Sequence, residues 1–206
     1  MAHPSLASRT PTLMARLRDA TAAVRDRELL GGRVSWLDYR LYLLRLYGFH
    51  AAVERVLASS SQLTAVVPDA ALRNHKAALL AHDLVALGVA RGDLPQLPRM
   101  AFAASLALPE ALAWTYVIES LTLGGKPLAR QLARQLPVEI ECASAYLGCY
   151  GDEVQARWRE LGVALDGYDQ VERDGDRVIA AAHDGFHQLR AWLRPALQPR
   201  SSRIHA

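Results

Sequence analysis

The stretch Tyr116-Val117-Ile118-Glu119-Ser120-Leu121-Thr122-Leu123-Gly124-Gly125 decides how the chain is read. It continues an apolar helix launched by Pro109-Glu110, where proline fits the first turn and glutamate suits the positive end of the helix dipole. Two consecutive glycines and then Pro127 follow, so the helix must bend or break there before apolar spacing resumes through Leu136. A double glycine in such a place has two readings. It allows close helix packing or ends the helix, or it removes side chains so that backbone approaches a flat ligand.

Working outward, apolar positions recur at three and four residues almost everywhere, and strand-length alternation is hard to find. Thr12 is placed to cap a first helix running to about Leu29, which Gly31-Gly32 ends. A second helix over Ser35 to Ala58 carries Tyr39, Leu43, Leu46, His50, Val53 and Leu57 on one inward face. Ser59-Ser60-Ser61 and Pro68 bracket a loop, Asp69 caps a third helix to about Leu87, and Gly88 closes it. Residues 89–99 read as a connector and Met100 to Leu106 as a short helix. Beyond Pro137, Gly151 and the stretch Asp166 to Asp176 punctuate three further helices that end near Arg194. The expectation is an all-α, single-domain bundle of about seven to nine helices over residues 13–194, with a flexible arm at 1–12 and a flexible tail at 195–206.

Of the 206 residues, 51% are hydrophobic and 22% charged, which suits one well-buried core. The formal charge of +3 is mild, and arginines alternate with carboxylates rather than forming a stripe, which argues against a nucleic-acid partner. Lys76 and Lys126 are the only lysines. Cys142 and Cys149, seven apart, are expected on one helix, too far along it to pair, which suggests a reducing compartment. Residues 1–12 lack the apolar core of a secretory signal, and no run approaches the roughly 20 apolar residues of a membrane span. The expectation is a soluble, cytoplasmic chain with no membrane partner.

Several segments, in order, resemble the heme oxygenase family. Leu17-Arg18-Asp19-Ala20-Thr21-Ala22-Ala23-Val24-Arg25 is similar to the family's opening helix, L-[KR]-x-x-T-x-x-x-H. Leu80-Ala81-His82-Asp83-Leu84-Val85-Ala86-Leu87-Gly88 resembles the bacterial L-x-x-D-L-x-x-L-G helix. The stretch Tyr116 to Gly125 resembles Y-V-L-E-G-[SA]-x-L-G-G, and Tyr150-Gly151-Asp152-Glu153-Val154-Gln155-Ala156-Arg157-Trp158 resembles Y-G-x-x-x-x-R-W. The resemblance implies a helical bundle that holds heme between the opening helix and the glycine-bearing distal helix. It also implies iron held by one imidazole and oxygen activated on the other face.

At the position that the resemblance assigns to that imidazole stands Arg25. A guanidinium stays protonated and offers no lone pair, so Arg25 cannot ligate iron. No histidine occurs between Pro4 and Phe49, so a shift of register restores nothing. Arg18 matches the family's propionate-contacting base and lies two turns from Arg25, on the same face. Both are candidate clamps for the carboxylates of an anionic tetrapyrrole; the alternative pairs Arg25 with Glu28, Glu54 or Asp83. By the resemblance Arg157 is a second propionate contact, and otherwise a surface pair. Ser120 replaces the first distal glycine, where its side chain narrows the space above a ligand or orders water.

Among other possible metal ligands, His50 lies on the inward stripe, as a substitute iron ligand or a hydrogen-bonded core residue. His183 and His187 have ligand spacing without an accompanying carboxylate motif, and His75 and His82 are expected to face solvent. A di-iron site from Glu54, Asp83, Glu119 and His50 lacks the repeated Glu-x-x-His signature.

Three functions follow. One is an active heme oxygenase that makes biliverdin, carbon monoxide and iron with a substitute ligand and an electron-donor protein. Another is a catalytically silent relative that binds heme, biliverdin or another small hydrophobic anion. The third is an interaction protein whose pocket is filled. Residue chemistry favours the second.

Overall fold

Helix α1 (Leu13–Arg25) opens the described chain and starts where Thr12 Oγ1 accepts the Ala15 amide at 3.3 Å. The computed structural model describes residues 11–25, 33–168 and 171–197, with the side chains of residues 24, 25 and 171 outside that description. The proposed helix end at Gly31-Gly32, and Glu28, fall outside it as well.

Ser35 and Asp38 form a reciprocal capping box that opens α2 (Trp36–Ala58), with the Asp38 carboxylate accepting the Ser35 amide at 2.9 Å. Such a box stabilises a helix start by about 1 kcal/mol. All six residues of the expected inward face of α2 are buried, none more than 1% exposed. The chain continues through α3 (Ser61–Val66), α4 (Ala70–Arg73) and α5 (Lys76–Ala86), then a 3-10 turn at Arg91–Gln96. It closes with α6 (Leu108–Thr122), α7 (Gly125–Ala133), α8 (Pro137–Cys142), α9 (Val154–Asp166) and α10 (Val171–Leu197). No strand occurs among the described residues, and none of their helices is long and apolar enough to cross a membrane.

The bundle is organised around α10, which packs against α6, α1 and α2, while α2 also packs against α5. Apolar burial supplies the driving force, with Leu17, Leu43, Leu46, Tyr116, Val117, Ile118, Leu161 and Leu193 fully inside. Directional bonds set the register. Tyr39 Oη donates to the Ala143 carbonyl at 2.6 Å, tying α2 to the end of α8. Trp192 Nε1 donates to the Arg45 carbonyl at 2.6 Å, tying α10 to α2.

Local structure departs from the sequence reading in five places. The expected loop at 59–68 contains α3, capped by Ser60. Asp69 does not cap a long third helix; its φ is 55°, its side chain makes no cap bond, and the segment divides into α4 and α5. The division has a physical reason, because Glu54 of α2 accepts the first-turn amides of Lys76 and Ala77 and so starts α5 from outside. Residues 100–106 are not helical: they lie between Pro98 and Pro109, too short a run to nucleate a helix unaided. Cys142 ends α8 and Cys149 lies beyond it, so the two do not share a helix; both are free, Cys142 exposed and Cys149 buried. Finally, α10 reaches Leu197 rather than stopping near Arg194, because Leu193 and Ala196 remain buried.

The double glycine divides its work. A Cβ on Gly125 would stand 2.3 Å from the Leu147 carbonyl oxygen, whereas one on Gly124 would meet nothing nearer than 3.9 Å. Gly125→Ala is therefore expected to lose roughly 1–3 kcal/mol in urea unfolding, from forced backbone displacement, and Gly124→Ala to change little. Equal effects of the two substitutions would contradict this division.

Candidate functional site

A buried polar contact joins α1 to α6. Thr21 Oγ1 donates to the Leu17 carbonyl and lies 3.2 Å from Tyr116 Oη. Tyr116 in turn packs against Trp158 and Phe186. Position 25 follows Thr21 by one turn on α1, Ser120 follows Tyr116 by one turn on α6, and Gly124 lies in the junction between α6 and α7. The buried face of α1 is formed by Leu13, Met14, Leu17 and Thr21. At 100° per residue, position 25 falls at the border between that face and the exposed Arg18.

Arg18 makes no ion pair among the described residues. Ser120 is buried and donates its hydroxyl to the Val117 carbonyl at 2.7 Å, while Gly124 is exposed. Arg157 lies elsewhere in the charge pattern, with Asp69 at 3.4 Å, Glu153 at 3.5 Å and Glu160 at 3.4 Å.

Behind the distal segment lies an ionic cluster that the sequence reading misses. Glu119 is 1% exposed and receives Lys76 Nζ at 2.6 Å and Arg73 Nη1 at 2.9 Å, both cations being buried as well. Tyr150 Oη donates to the same carboxylate at 3.1 Å, and Arg73 reaches the Arg157 carbonyl and Glu160 at the surface. Three segments, α4, α5 and the turn at Tyr150, thus meet on one α6 side chain, and Arg73 links them to α9. A buried carboxylate between two cations is tolerable only because every partner is present. One signal existed in the sequence: Lys76 is one of just two lysines, and an apolar run of five residues follows it.

Two of the three alternative partners proposed for Arg25, Glu54 and Asp83, hold backbone amides. Glu54 holds the Lys76 and Ala77 amides, and Asp83 accepts those of Ala145 at 2.8 Å and Tyr146 at 2.9 Å. Burial pushes Asp83 above the ordinary carboxylate range, partly offset by these two amides.

A heme iron needs a neutral ring with a free nitrogen lone pair facing open space, and buried His50 does not offer one. His50 is fully buried, with Nε2 3.1 Å from Tyr146 Oη and Nδ1 3.3 Å from Glu54 Oε1, the latter off the line of a good hydrogen bond. His75, expected at the solvent, is half-buried; its Nδ1 bonds the Leu72 carbonyl and its Nε2 faces Cys149 Sγ. His82 is exposed, and the rings of His183 and His187 lie 4.6 Å apart along α10. Among the described residues no group of three His, Cys, Asp or Glu is placed to hold a metal ion. Glu119 could join a di-iron site only by giving up both cations.

An all-helical bundle with a glycine break in the helix beside its opening helix defines the class. The heme oxygenase family model matches residues 13–195, and the chain belongs to that family. Its fold is similar to that of the heme oxygenase from Neisseria meningitidis in its NO- and CO-bound crystal structures, with a TM-score of 0.74. That alignment has 21% sequence identity and covers 93% of this chain and 96% of the other. No curated protein sequence matches the chain.

Two outcomes follow. Glu119→Leu leaves Arg73 and Lys76 buried without their shared anion, so denaturant unfolding is expected to show a loss of about 3–5 kcal/mol; a loss under 1 kcal/mol would remove the cluster's structural role. Burial also lowers His50 below its ordinary 6.5, so the unfolded chain takes up a proton that the folded chain refuses. This contribution is intact above pH 6.5 and lost as pH falls below it, at up to ~1.4 kcal/mol per pH unit. Unfolding curves on both sides of that value should show a shallower pH slope for His50→Gln than for the wild type.

Proposed function

We propose that this heme oxygenase family member binds an anionic tetrapyrrole, heme or biliverdin, by charge and shape, and does not turn heme over through a histidine-bound iron. The observation that carries the reading is that the last residue of α1, at the position the family motif gives to the ligating imidazole, is Arg25. Its protonated guanidinium has no electron pair for a metal and is well suited to a carboxylate. The bonding of His50 to Tyr146 and its closeness to Glu54 support the absence of a substitute ligand.

The anion-binding part of the proposal rests on Arg18 and Arg25, seven residues apart on one face of α1. Exposed Gly124 supports close approach of a flat ring to α6. Arg157, surrounded by three carboxylates, is assigned to structural pairing rather than to a propionate. In this reading an electron-donor protein has no role, and the two free cysteines agree with a cytoplasmic setting. The filled-pocket alternative draws its support from Gly125, whose missing side chain serves packing against Leu147.

Titrating the purified chain with hemin and with biliverdin tests the proposal. Biliverdin is expected to bind, and hemin, where bound, to lack the spectrum of an imidazole-ligated iron and to persist under reductant and oxygen. Arg25→His is expected to gain that spectrum. Decay of a Soret band to a bilin spectrum in the wild type would establish the enzymatic reading instead, and failure of both compounds to bind would favour the filled pocket.

A further inference from the structure

Glu54, His50 and Tyr146 form a second buried polar chain, joined to the Glu119 cluster only through the backbone of Lys76. Each is under 9% exposed. Glu54 is fixed at one end, since its carboxylate accepts the Lys76 amide at 3.0 Å and the Ala77 amide at 3.2 Å. His50 Nδ1 lies 3.3 Å from that carboxylate, and Nε2 lies 3.1 Å from Tyr146 Oη. These neighbours determine the direction of the chain. The nearby anion favours a proton on Nδ1 by charge, although the two atoms are off the line of a good hydrogen bond, and that tautomer leaves the Nε2 lone pair facing the phenol. Tyr146 therefore donates its O–H to a neutral base, and burial keeps both the phenol protonated and the imidazole uncharged at rest.

We infer that Tyr146 is a redox-active tyrosine, with His50 as its built-in proton acceptor and Glu54 as the anion that stabilises the protonated ring. An oxidised phenol is a strong acid, so its one-electron oxidation is easiest where the proton has a short path to a base. In the step assigned here, one electron leaves the Tyr146 ring for a high-potential one-electron oxidant of the peroxide-derived radical class. The phenolic O–H bond breaks and its proton forms an N–H bond at His50 Nε2. The products are a neutral phenoxyl radical, an imidazolium facing the Glu54 carboxylate, and the oxidant reduced by one electron. Return of an electron from a thiol or ascorbate sends the proton back.

Three other tyrosines, Tyr39, Tyr150 and Tyr168, have poorer acceptors. Tyr39 donates to a peptide carbonyl, which is not a base, and Tyr150 donates to Glu119, whose charge is already shared by two cations. Tyr168 donates to Asp174, which the neighbouring Arg173 holds below the ordinary carboxylate range. Only 6% of Tyr146 is exposed, which keeps solvent from quenching the radical.

The test uses the ligand-free chain, so its outcome is independent of any tetrapyrrole. Photo-oxidised ruthenium tris-bipyridine, with a cobalt complex as the terminal acceptor, supplies the one-electron oxidant, and frozen samples are read by electron paramagnetic resonance. The wild type is expected to give a neutral tyrosyl signal that forms more slowly in deuterated water. Tyr146→Phe, with its helical circular dichroism unchanged, is expected to lose most of that signal. In the unmutated chain grown on isotopically labelled histidine, the radical is expected to couple to a ring nitrogen, which makes the result independent of how the variant folds. A full tyrosyl signal in Tyr146→Phe, an absent signal in the wild type, or a radical without nitrogen coupling would overturn the inference.

Discussion

Two cations buried on one carboxylate hold this bundle in register. Glu119 projects from α6 between Arg73 and Lys76, and none of the three can be relaxed toward solvent without moving a helix. Desolvation makes such a cluster costly to assemble and more costly to leave half-formed, so it adds specificity rather than net stability. Its consequences extend through the fold. Lys76 must begin a helix just where Arg73 ends one, Glu54 is drawn in to satisfy the new helix start, and the placement of Glu54 in turn disposes His50 and Tyr146.

The same cluster explains what the sequence made legible and what it hid. The six inward residues of α2 follow from helical periodicity, because burial along a long amphipathic helix is a local pattern. Pro109, Gly124-Gly125 and Pro137 mark helix boundaries through backbone chemistry that needs no tertiary information. The division between α4 and α5 is different in kind. Residues 70–86 carry a continuous helical pattern, and only the distant Glu54 and Glu119 break it. A carboxylate far away in sequence leaves no periodic trace, which is also why Arg73, Tyr146 and the bond from Tyr150 to Glu119 escape a reading based on motifs.

Gly125 and Gly124 show how a motif can mix two causes. One glycine is needed by the backbone of Leu147, and the other faces open space. Family membership and the helical architecture therefore stand on packing that persists whether or not the chemistry does. The chemistry depends on far fewer residues. The proposal of binding without turnover turns on one side chain at position 25 and on the bonding of His50 within the core. Fold alone would assign the family reaction, whereas the donor atoms argue against it.

The central claim is that affinity for a tetrapyrrole comes from its carboxylates and flat ring, with no bond to iron. Comparing the affinities of the wild-type chain for hemin and for iron-free protoporphyrin IX tests this directly, since the two differ only at the metal centre. Closely similar dissociation constants are the expected result. Hemin binding more tightly by orders of magnitude would reveal an iron ligand in the protein and contradict the account.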